Sequence, residues 1–64
     1  MKASDKKLRK FCVLVEKHPD KGALNMYDAG LTLTDICDTL DARGTNDPLR
    51  KRLRKAILKM NFAA

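Results

Sequence analysis

The chain has 64 residues, a mass of 7.2 kDa, a formal net charge of +6 and a pI near 9.7. So short a chain forms one domain and leaves much of its surface exposed, so a deep catalytic cleft would compete with the core for the same few apolar residues. Size therefore points away from an enzyme and toward a binding module, and the charge points to a polyanionic partner, nucleic acid before anionic membrane or acidic protein.

The first predicted element is "SDKKLRKFCVLVEKH", with Ser4 placed to cap a helix from its side-chain oxygen. Leu8, Phe11, Cys12 and Val15 fall at i, i+3, i+4 and i+7, which is one apolar stripe, and the lysines lie mainly off it. Pro19 ends the helix, because the residue before a proline is pushed out of helical geometry. The second element, "DKGALNMYDAG", is shorter. Asp20 is its expected cap, Leu24 and Tyr27 its inner face, and Gly30 a left-handed stop.

The third element is "TLTDICDTLDARG". Thr32 followed three residues later by Asp35 matches a capping box with Asp in place of Glu. Leu33, Ile36, Cys37 and Leu40 are its expected inward residues, and Gly44 its expected end. The fourth, "DPLRKRLRKAILKM", has Asp47 as cap and Pro48 at the first helical position. Leu49, Leu53, Ala56, Ile57 and Met60 recur at helical spacing along it. No stretch alternates as a strand between hairpin turns. The predicted fold is all-α, a small bundle of about four short helices.

Charge is distributed unevenly along these elements. Residues 1–21 hold seven cations and three acids, residues 22–47 hold Arg43 against five aspartates, and residues 48–64 hold six cations and no acid. Six like charges on one short helix repel at i,i+3 and i,i+4 spacing, and those in its first turns oppose the helix dipole. Such a cost is accepted where concentrated positive charge serves a polyanion, with the acidic third helix expected to offer part of the compensation. A solubility face usually mixes both signs, and no acid follows Asp47. With the leucines turned inward, Lys51, Arg54 and Lys55 point away from the core and Arg50, Arg52 and Lys59 lie on the flanks. Arg and Lys in the first turns of an exposed helix suit phosphate contacts and bidentate contacts to guanine. Leu58 and Phe62 interrupt that outward face four residues apart and form a candidate oligomer or partner interface.

The stretch "GLTLTDICDTLDARGTNDPLRKRLRKAI" resembles the helix-turn-helix core of small bacterial and phage transcription regulators, including the winged-helix branch. The resembling features are the glycine-leucine lead, the capping Thr32, the core of Asp35, Ile36, Cys37 and Leu40, and Leu49 and Leu53 after the turn. The resemblance covers roughly half the chain. It implies a helix-turn-helix over approximately residues 32–60, acting in duplex DNA binding and transcriptional regulation. It assigns DNA contacts to Arg50, Lys51, Arg52, Arg54 and Lys55. Lys59 and Arg43 are further candidate DNA-binding residues, the first-helix lysines Lys6, Lys7 and Lys10 are expected to add backbone contacts, and a homodimer on a two-fold site is expected. The turn "DARGTND" is longer than the tight form of the motif. Where a winged member continues into a β-hairpin, "MNFAA" follows, so the relative implied is a wingless one.

Other readings attach to particular residues. A phage-type inhibitor or adaptor that seizes a host protein would use Leu58, Phe62 and Val13 as anchor and the cations for steering. RNA binding through the same basic helix is a third option. His18 reads as a surface residue, and Asp35, Asp38 and Asp41, at three-residue spacing, as a solvated acidic face rather than a metal site. Cys12 and Cys37 are expected as buried free thiols, too few to be metal ligands with one histidine. No nucleophile–base pair or cofactor site can be assembled. The N-terminus leads into no apolar run suited to a signal peptide, and no window nears the roughly 20 apolar residues of a membrane span. A cytoplasmic protein without a membrane partner is expected.

Overall fold

The computed structural model describes residues 4–60 and contains four α-helices and one turn of 3-10 helix. Helix α1 spans Asp5–Lys17, the 3-10 turn Pro19–Lys21, α2 Ala23–Asp28, α3 Leu33–Ala42 and α4 Pro48–Lys59. No strand occurs among the described residues, and no helix among them is long and apolar enough to cross a membrane.

The starts of α1, α3 and α4 are satisfied locally. The backbone N–H groups of the first turn lack intrahelical acceptors. The Ser4 side chain takes that of Lys7, and the Thr32 side chain takes that of Asp35. The Asp35 carboxylate closes the box by accepting from the Thr32 N–H at 2.9 Å, which holds its pKa below the usual carboxylate value. Asp47 accepts from the Arg50 N–H at 2.9 Å, and Pro48 follows at the first helical position. Replacing Asp47 by Ala is therefore expected to cost about 1 kcal/mol of stability, read as a lower urea midpoint with an unchanged m-value.

Helices α1 and α4 make the main packing interface. Leu8, Phe11, Cys12 and Val15 of α1 are buried against Leu49, Leu53, Ala56 and Met60 on the α4 side. Ala29, Leu31 and Ile36 complete the core, and Leu14, Met26, Leu40 and Ile57 pack on its edge.

The two middle helices correct several expectations. Asp20 does not cap α2: it lies in the 3-10 turn, and the cap position is Gly22, at φ 52°, with no side-chain bond. Leu24 and Tyr27 are exposed, and the inward residue is Asn25. The Asn25 amide donates to the His18 carbonyl at 2.8 Å, tying α2 to the end of α1. That tether sets which side of a six-residue helix faces in, and it leaves the buried amide satisfied. On α3, Ile36 is buried and Leu40 half-buried, whereas Leu33 and Cys37 are exposed. Thr39 turns inward instead, its hydroxyl donating to the Asp35 carbonyl at 2.8 Å. Of the two thiols only Cys12 is a core residue, and burial pushes its pKa up. Gly30 ends α2 with φ 74°, as expected, but α3 ends at Ala42 with Arg43 extended, and Gly44 adopts no left-handed conformation.

Candidate nucleic-acid interface

The cations of α4 divide into those used inside the domain and those turned to solvent. Burying Leu49, Leu53, Ala56 and Met60 fixes the helix rotation, so Lys51, Arg54, Lys55 and Leu58 stand on the opposite side. All four are exposed, and Leu58 is 77% exposed. Together with Thr45 and Arg50 they line an open depression of about 430 Å³. Among the described residues, Lys51, Arg54 and Lys55 make no ion pair. Over this 12-residue helix the face is on the order of 18 Å long.

The flanking arginines are held by the protein itself. Arg50 is half-buried, and its Nε donates to the Leu40 carbonyl at 2.9 Å, fastening the start of α4 to the end of α3. Arg52 pairs with Glu16 of α1, its Nη2 lying 2.7 and 3.2 Å from the two carboxylate oxygens. The hydrogen bond from Arg52 lowers the Glu16 pKa, so the pair stays ionised at neutral pH. Lys59 is exposed on the same flank and lines a small cleft with Glu16, Arg52, Lys55 and Ala56.

Arg43, in the five-residue connection between α3 and α4, is paired with Asp5 and with Asp47, the latter at 3.3 Å. The Asp47 pKa is lowered first by the Arg50 backbone N–H and then by Arg43. Arg43 thus ties the start of α1 to the start of α4, and both of its acids stand where a phosphate would have to displace them. Lys6, Lys7 and Lys10 are exposed, but none of them lines the α4 depression. Lys6 and Lys10 lie on the back of α1, opposite its buried stripe. Lys7 reaches over Gly30.

The expected neutralisation of α4 by acids of α3 is also corrected. The carboxylate paired to α4 comes from Glu16 of α1, and Asp38 and Asp41 make no ion pair among the described residues. No sequence signal marks Glu16 or Asp5 as counter-ions, since they lie 36 and 38 residues from their arginines. Thr45 was likewise missed, being a turn residue with no charge. Phe62, the second residue of the candidate partner interface, lies outside the described residues.

Comparison with family models, curated proteins and solved structures finds no match to this chain.

Proposed function

We propose that the chain binds duplex DNA through the outer face of α4, with α3 and α4 acting as a helix-turn-helix and the protein serving as a small transcriptional regulator. The observation that carries this reading is the row Lys51, Arg54 and Lys55, exposed on one helix face without intramolecular partners among the described residues. Three cations one turn apart or less, on a helix narrow enough for a major groove, supply both phosphate neutralisation and reach to base edges. Arg50 supports the reading differently, since its bond to Leu40 sets the α3–α4 geometry that would hold the helix in the groove. The five-residue connection is longer than the turn of three or four residues usual in the motif.

The test is binding to random duplex DNA over a salt series. The logarithm of affinity should fall linearly with the logarithm of salt concentration, with a slope of about −3 for three phosphate contacts. Absence of binding even at low salt would overturn the proposal. That outcome would favour a protein-binding adaptor, a reading supported by Leu58 standing largely exposed among the cations.

A further inference from the structure

The outer face of α4 carries one residue that phosphate neutralisation does not use. Past Pro48, the exposed positions of the helix are Lys51, Arg52, Arg54, Lys55, Leu58 and Lys59. Five of them are cations, and the sixth, Leu58, is 77% exposed. Leu58 follows Lys55 by three residues, Arg54 by four and Lys51 by seven, so the four share one face. They line the same open depression. A lone exposed leucine is ordinary on a protein surface. This one sits where the proposed DNA contact would cover it, and a covered side chain must meet something. A phosphate oxygen or a base carbonyl pressed against its methyl groups would lose water and gain no hydrogen bond. The C5-methyl group of thymine is the apolar feature that the floor of the major groove presents.

We infer that Leu58 packs on the C5-methyl group of a thymine and makes this face prefer T at one position of its site. The inference rests on the DNA reading of α4 and adds to it a base preference, which phosphate contacts do not supply. From Lys51 to Leu58 the helix advances about 10 Å, at about 1.5 Å per residue. A base pair occupies about 3.4 Å of duplex, so that distance spans about three base-pair steps. The thymine therefore lies at one end of the contacted run, with the base pairs facing Arg54 and Lys51 toward the other. A lipid interface or an apolar groove of another protein fits this face less well. Both take a stripe of apolar residues at helical spacing, and the stripe of α4, Leu49, Leu53, Ala56 and Met60, is buried in the core. A single thymine methyl needs only one leucine.

The test starts from duplexes that the full chain selects out of a random pool at low salt. Each is resynthesised with deoxyuridine in place of one thymine at a time, which removes the C5-methyl group and keeps the base-pairing hydrogen bonds. At one thymine per bound copy, the wild-type chain should bind the uracil form about fourfold more weakly, the worth of one buried methyl group. No charge is involved, so that ratio should hold across a salt series in which the affinity itself falls. Leu58→Ala should bind the thymine form more weakly by a similar factor and should bind both forms alike. Leu58 is exposed and alanine suits a helix, so the variant keeps its fold. A wild-type chain that binds its selected duplexes but is indifferent to uracil at every thymine overturns the inference and leaves the DNA reading standing. So does a thymine preference that persists in Leu58→Ala. A chain that selects no duplex overturns both.

Discussion

Replacing Lys51, Arg54 and Lys55 together by alanine is expected to lower affinity for duplex DNA by on the order of 100-fold at low salt, and to reduce the salt slope by about 3. The three side chains project from the side of α4 opposite Leu53 and Ala56, so their removal takes no atom from the core. It also relieves repulsion between neighbouring cations on the helix, and alanine is the best helix former, so thermal stability should be unchanged or slightly raised. Loss of binding with an intact helical spectrum therefore assigns the effect to the surface. Arg52→Ala provides the contrast. That side chain is already paired with Glu16 across the α1–α4 interface, so its loss should weaken DNA binding far less than loss of any member of the row. If the triple variant binds as the parent does, α4 is not the DNA face, whatever the rest of the molecule does.

Phe11→Ala is expected to remove roughly half of the domain's stability. Phe11 is the largest of the fully buried side chains and belongs to the α1 stripe that packs on α4. Truncating a buried phenylalanine typically costs about 3–5 kcal/mol, part lost transfer energy and part residual cavity. At roughly 0.05–0.15 kcal/mol per residue, a domain of this length has only about 3–10 kcal/mol in total. The variant should melt at a much lower temperature than the parent, with a correspondingly lower urea midpoint. Tyr27→Ala is the matched comparison: an aromatic of similar size on an exposed face, whose loss should change stability by no more than about 0.5 kcal/mol. Equal behaviour of the two variants would mean that the assignment of core and surface between α1 and α2 is wrong.

The contrast between Phe11 and Tyr27 also shows where the sequence is legible. Helical spacing places both inward, and only Phe11 is buried. Over α1 the stripe of four buried residues repeats across 13 residues, and a helix of that length has one orientation that hides all of them. In α2, only six residues long, Leu24 and Tyr27 specify a face only loosely, since Ala23 and Met26 are apolar as well. There the bond from Asn25 to the His18 carbonyl overrides them. Helix α3 is intermediate: Ile36 is found where the spacing places it, while the buried face is turned toward Thr39 and away from Leu33 and Cys37.

The charged residues divide in the same way. That Lys51, Arg54 and Lys55 would share an outward face follows from their offsets to Leu49 and Leu53, because a helix fixes relative angles within itself. That Arg43 and Arg52 would be spent on Asp5 and Glu16 follows from nothing local, since the partners meet only when α1 packs along α4.

The sequence by itself determined the four helices, three of their caps and the inner stripes of the two long ones, since these depend on groups three or four residues apart. The tertiary structure alone decided which faces of α2 and α3 turn inward, which arginines are neutralised, and that an apolar groove is left open between α2 and α3. Short helices carry too few apolar residues to orient themselves, and ion pairs across 36 or 38 residues exist only once the chain has brought their partners together.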